Sequence, residues 1–228
     1  MGRVGVDGDL FWTGEGTDTT QLQTLAAAGL TWVRSDFYWG TIEPSRGQFS
    51  WSNSDGLMAA AAKAGVNVDA ILDYSASWAS SDPSGNAYYP PTSPADYAQF
   101  ASAVVSRYGP GGSFWATRPD VPVHPLAAVE IWNEPWGDWN WNPNPDPAAY
   151  GQLVNAAGAA IRAADPSVKI LVSGDDLEVR TDGQPVSWIN SLLADDPGIG
   201  AYVDGWSVHP YPDPTSNGPN TPGPIDYA

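Results

Sequence analysis

The stretch Glu130-Ile131-Trp132-Asn133-Glu134-Pro135 decides the fold. It is a short apolar run that closes on an amide, a carboxylate and a proline. Read as a strand, it delivers Asn-Glu at its C-terminal end, where a parallel barrel exposes acids to a ligand. Pro135 has no N–H to give a ladder and stops the strand.

Outward from this stretch the chain alternates. Residues 4–9, 30–37, 66–74, 126–134, 168–175 and 203–209 read as six strands. Between them lie Ala-rich amphipathic runs. Residues 18–28 and 54–64 read as helices closed by Gly29 and Gly65. The next helix opens on Ser93-Pro94-Ala95-Asp96, with a serine at the cap and proline at the first helical position. Asp146-Pro147 caps a long helix to about residue 164, and residues 186–193 form the last one. Strand-helix alternation with right-handed crossovers implies a parallel sheet. The loops after strands, residues 39–51, 75–91 and 136–145, are long and rich in Trp, Pro and Asp. Residues 109–125 read as a surface excursion, and residues 212–224 as a Pro/Gly/Asn-rich loop.

The expected fold is α/β: a (β/α)8 barrel, incomplete in this chain, with about six βα units and strands seven and eight missing. A complete barrel takes about 250 residues; this chain has 228. We read residues 1–228 as one barrel domain that is truncated at its C-terminal side. Open edges on strands one and six leave unpaired backbone groups, so self-association of such a piece is expected.

The net charge of −17, with two lysines, argues against nucleic acid, whose phosphates need a positive surface. It also argues against anionic membranes. No run reaches the roughly 20 apolar residues of a membrane span. The absence of cysteine removes disulfides and thiolate chemistry. With two histidines at unhelpful spacing, no metal site and no cofactor are expected. Twelve tryptophans and ten tyrosines serve cores, but also the flat apolar faces of sugars.

Glu134 is the first candidate. A glycosidic bond breaks when one carboxylic acid protonates the leaving oxygen and a second carboxylate attacks carbon or activates water. The acid must hold its proton near neutral pH, which burial or a like charge arranges. The bland alternative is a structural ion pair. Asn133 suits a sugar hydroxyl, or else a turn. Arg34, near the end of strand two, suits bidentate orientation of a carboxylate, or an ordinary pair with Asp36 or Asp73. His209 and Tyr211 close strand six and suit sugar binding. Trp39, Trp78, Trp136, Trp139 and Trp141 sit in loops after strands, where indole faces stack on pyranoses or simply pack. His124 precedes strand four, at the stabilising face, and reads as structural.

Four stretches, residues 32–44, 71–78, 130–135 and 207–211, together resemble glycoside hydrolase clan A, the retaining β-glycosidases on a (β/α)8 barrel, nearest its family 39 and family 5 types. The resemblance implies Glu134 as general acid/base and Asn133 as the contact to the sugar's 2-hydroxyl. Arg34, His209, Tyr211, Trp136, Trp78 and Trp39 then line the site. It also implies a glutamate nucleophile at the end of strand seven, expected beyond residue 228. Two departures stand out: Asp73-Tyr74 occupies a place where the family 5 type often carries histidine, and no residue matches the nucleophile. Glu130 lies four residues behind Glu134, about 13 Å along a strand, too far for the ~5–5.5 Å of a retaining pair. Glu15 and Glu43 sit in loops after strands one and two, Glu43 reading as a structural loop acid. Glu178, Asp175 and Asp176 follow strand five and are weaker candidates.

The expected function is therefore hydrolysis of β-glycosidic bonds with retention. The alternative is a non-catalytic carbohydrate-binding barrel that keeps the tryptophans, Asn133 and Arg34. The partner is a carbohydrate, and the acidity fits a secreted protein.

Overall fold

The computed structural model describes residues 4–174, 178–179 and 185–209. Tyr211, Asp175 and Asp176 lie outside the described residues, and Glu178 is described only in its backbone.

Six parallel strands form one sheet: β1 (Gly5–Asp7), β2 (Trp32–Tyr38), β3 (Asn67–Asp73), β4 (Ala128–Ile131), β5 (Lys169–Ser173) and, after a short antiparallel ribbon of β6 (Glu178–Val179) with β7 (Pro185–Val186), β8 (Gly205–Ser207). The ladder runs β1-β2-β3-β4-β5-β8. Helices α1 (Glu15–Ala27), α2 (Trp39–Ile42), α3 (Ser52–Ala64), α4 (Pro94–Tyr108), α5 (Ser113–Thr117), α6 (Pro147–Ala164) and α7 (Trp188–Asp195) fill the crossovers. This is the expected order of six parallel strands, the sixth being β8.

Local chemistry accounts for the ends. Gly65 takes the left-handed conformation, φ 68°, that closes α3. Asp146 Oδ1 accepts the Ala149 N–H at 2.9 Å and opens α6. Ser93 stands at the cap of α4 but makes no capping hydrogen bond with its side chain; Pro94 starts that helix without it. The 109–125 segment holds the short α5, whose Phe114 and Trp115 are buried, so it is more than a surface excursion.

The side chains alternate between two environments. On β2, Val33, Ser35 and Phe37 point to the helices and are fully buried. Arg34, Asp36 and Tyr38 take the opposite, concave face. The helix side is apolar and aromatic: Trp39 stacks on Phe100 at 5.5 Å, and Tyr97, Tyr108, Tyr150 and Trp188 are fully buried. The concave side is charged. The register puts Asp7 beside Arg34 and Arg34 beside Asp69 across three strands, with Glu130 beside Ile71 one step further. Layers of branched aliphatics usually fill a barrel of this kind; here an arginine and carboxylates take that place.

Strand four is shorter than the sequence implies. It ends at Ile131, and Trp132 and Glu134 adopt left-handed backbone, φ 62° and 47°. In a continued strand Glu130, Trp132 and Glu134 would share one face. The turn breaks that alternation. Trp132 enters the aromatic core against Tyr74, Tyr97 and Trp141, while Glu134 comes to the mouth.

Candidate active site

Arg34 is the hub at the mouth of the sheet. Its Nε donates to Glu130 Oε2 at 2.8 Å and its Nη2 to Glu130 Oε1 at 3.0 Å. Nη1 reaches Asp7 at 2.9 Å. Nη2 also donates to Asn133 Oδ1 at 2.9 Å and lies 3.3 Å from His209 Nε2. The bidentate carboxylate partner is thus Glu130, wholly buried, and not Asp36 or Asp73. Burial works against the guanidinium charge, but Glu130 and Asp7 outweigh it and raise its pKa.

Asn133 is fixed from both sides. A guanidinium only donates, so the amide oxygen must face Arg34. Its Nδ2 then donates to the Tyr74 hydroxyl at 3.0 Å. Tyr74 packs on Tyr88 and on the edge of Trp132. It stands immediately after β3, where the sequence departs from the histidine of the family 5 type.

Glu134 meets His209: Nδ1 lies 2.6 Å from Oε1, both side chains being largely buried at 13% and 11% exposure. Oε2 accepts from Trp139 Nε1 at 3.1 Å and from Asn140 Nδ2 at 3.3 Å. The hydrogen bond with His209 lowers the Glu134 pKa against the opposing push of burial, and Trp139 lowers it further. This is opposite to the expected retention of a proton by burial or a like charge. The surroundings among the described residues favour the ionised form.

The tryptophans divide. Trp39 is fully buried, its indole N–H on Glu43 Oε2 at 2.7 Å. Trp141 is 2% exposed. Trp78 donates to the Glu43 carbonyl at 2.8 Å and carries Arg46 over its ring at 4.6 Å. Trp39 and Trp141 are therefore core residues rather than a sugar platform, and Trp78 is occupied by its neighbours. The cause is α2, which turns the chain after β2 back onto α4 and takes Trp39 with it. Trp136 is half-buried and packs edge-on against Trp139 at 5.2 Å. Trp139 is 55% exposed. Sequence reasoning misses Trp12, also exposed, which packs on Tyr38 at 5.4 Å. Its position after β1 is the available signal. His124 stays before β4, away from the mouth.

The other glutamates whose side chains are described are engaged. Glu43 accepts from Trp39 and from the Gly47 N–H at 2.6 Å, a structural loop acid as expected. Glu15 pairs with Lys63 and Arg118. Glu130 has both oxygens on the Arg34 guanidinium and is the anchor of that side chain, a role the sequence does not reveal. Among the described residues no group of three or more His, Asp or Glu is arranged to hold a metal ion. No helix among them is long and apolar enough to cross a membrane.

Two more acids lie below the mouth. Asp73 is wholly buried, and burial with Asp36 alongside raises its pKa well above the usual range. Burial and then Glu130 push Asp69 from the ordinary 3.8 up to about 7. A carboxyl that keeps its proton longer when folded makes stability fall as pH rises between those two values. Asp69→Asn should remove that fall, up to about 1.4 kcal/mol for each pH unit crossed. Urea melts of both proteins at pH 4.5 and 7 measure it; equal slopes would refute the assignment.

The cellulase family model, glycosyl hydrolase family 5, matches residues 4–224. No curated protein matches the chain. Among solved structures, a family 39 glycoside hydrolase from Bacteroides cellulosilyticus WH2 superposes with a TM-score of 0.64 at 21% identity, over 92% of this chain and 38% of its own. A glucosidase from Croceicoccus marinus gives 0.60 at 17%, over 90% and 43%. A family 30 subfamily 8 xylanase from Clostridium acetobutylicum gives 0.60 at 19%, over 93% and 50%. The chain thus spans half or less of these proteins, and the likeness is one of fold.

Proposed function

Because the chain belongs to the cellulase family, glycosyl hydrolase family 5, we propose that the whole protein hydrolyses β-linked glycosidic bonds with net retention, using Glu134 as general acid/base. The observation that carries this reading is the contact between Glu134 and His209 at 2.6 Å, beside an Asn133 amide oriented by Arg34. An acid whose proton must move needs a fixed direction, and an amide locked at its oxygen offers its remaining N–H to a sugar hydroxyl.

In this reading Glu134 protonates the leaving oxygen, and a carboxylate nucleophile takes the anomeric carbon from the opposite face. Glu134 then returns as base and activates the water that releases the sugar. The nucleophile is assigned to the whole protein and not to a described residue of this chain. Trp139, Trp136 and Trp12 offer sugar faces around the mouth. Tyr211 keeps its proposed sugar-binding place. The acidic surface fits a protein exported to meet extracellular glycan.

The test is the anomeric configuration of the first product. Whole protein acting on a β-linked oligosaccharide should release the β-anomer first in a proton NMR time course. An α-anomer would overturn retention, and sugar binding without any cleavage would favour the binding-barrel alternative.

A further inference from the structure

The contacts to Glu134 differ in what each can do with a proton. An indole N–H and an amide NH2 only donate. Trp139 and Asn140 both donate to Oε2, so its two lone pairs are engaged. His209 is constrained from its far side. Arg34 presents only a guanidinium N–H group beside Nε2, which disfavours a second N–H there and leaves the ring proton on Nδ1, donating to Oε1. Turning the imidazole to the other tautomer would aim N–H at guanidinium N–H. Oε1 is thereby tied at 2.6 Å, and Oε2 is the oxygen that faces the rim.

One of the two Oε2 donors is fixed and the other is not. Asn140 is 9% exposed, its carbonyl holds the Trp132 indole N–H at 2.9 Å, and its own N–H is on the Gly137 carbonyl at 3.0 Å. Trp139 is 55% exposed. Its indole folds back over Gly137, where an added Cβ would stand 2.4 Å from the ring. Among the described residues, the titratable and charged groups facing Glu134 are His209 after β8 and Arg34 on β2, the latter neutralised by Glu130 and Asp7. Asp138 on the same loop is exposed.

We propose that Trp139 is a positioning residue that occupies Oε2 of Glu134 before substrate binds, and that it swings off Oε2 when a pyranose occupies the aglycone side, freeing that oxygen to take a proton from solvent and pass it to the leaving oxygen. The idea rests on Glu134 as acid/base and deepens it. It makes a sugar aglycone, rather than a small alcohol, the partner that arms the acid. Gly137 is the device that lets the indole reach back.

The experiment uses the whole protein and two variants, Trp139→Phe, which keeps a ring face and loses the donor, and Gly137→Ala, which displaces the indole. Both should move the alkaline limb of kcat/KM upward by about 0.5–1 pH unit, a roughly threefold to tenfold gain on that side. Carbon-13 NMR of the Glu134 carboxyl without substrate should show the same upward shift. An unmoved limb and carboxyl titration, with only KM for oligosaccharides changed, would leave Trp139 a sugar platform and overturn the proposal. Glu134→Gln is the separate control: if it keeps full kcat/KM on an unactivated glycan, the acid/base reading itself fails, whatever the limb does.

Discussion

Replacing Glu134 with alanine in the whole protein is expected to lower kcat on unactivated β-glycans by about two to four orders of magnitude, the usual worth of a positioned proton donor. The loss should depend on the leaving group. An aryl glycoside that departs without a proton should be cleaved in its first step nearly as before. The second step, which needs a base, should then be slow, so that glycosyl-enzyme accumulates. Azide should restore turnover and yield a β-glycosyl azide, because a small anion can occupy the space the carboxylate vacates and needs no base. Equal losses on activated and unactivated substrates, with no rescue, would remove Glu134 from the reaction. His209 holds this carboxylate at 2.6 Å, so the alanine variant also releases a histidine, and thermal melts of the two proteins separate that effect from chemistry.

Arg34→Met is expected to be the most destabilising single change in the concave face. It strands Glu130, wholly buried and otherwise matched by two hydrogen bonds from the guanidinium. Removing one partner of a buried pair typically costs about 3–5 kcal/mol. The double variant Arg34→Met/Glu130→Gln should recover much of that stability, since no charge is then left uncompensated. It should not recover activity, because Asn133 and His209 have still lost the donor that orients them. Chemical melts and kcat together distinguish the two roles. A single variant that loses less than about 1 kcal/mol, the worth of an exposed pair, would mean that water reaches Glu130. A double variant no more stable than the single one would likewise count against the buried pair.

The order of strands and helices is legible because it is written in short-range chemistry. Gly65 closes α3 and Asp146 opens α6 through groups within four residues of themselves. The candidates at strand ends are legible for the same reason, since Arg34, Asn133 and His209 do converge. What escapes is set by distant partners or by facing. Arg34 finds Glu130 across 96 positions, a choice that only the register of β2, β3 and β4 makes. Trp39 and Trp139 are chemically the same side chain in similar loops, yet one is sealed under α4 and the other is open. Nothing in composition separates them. The end of β4 is misread from sequence because an apolar Ile-Trp pair looks extended, whereas the left-handed backbone at Trp132 is enforced by the aromatic pocket that receives its ring.

That turn has a further consequence. Left-handed backbone at a bulky residue costs energy and persists only where neighbours over-determine it. Tyr97 and Trp141, which grip Trp132, lie well inside the wall and never meet a sugar. The aim of Glu134 is therefore inherited from masonry behind it. Engineers who wish to retarget such a protein can recut the rim outside Trp139 and Gly137, but trimming a ring two layers down will knock Glu134 out of line while the building still stands.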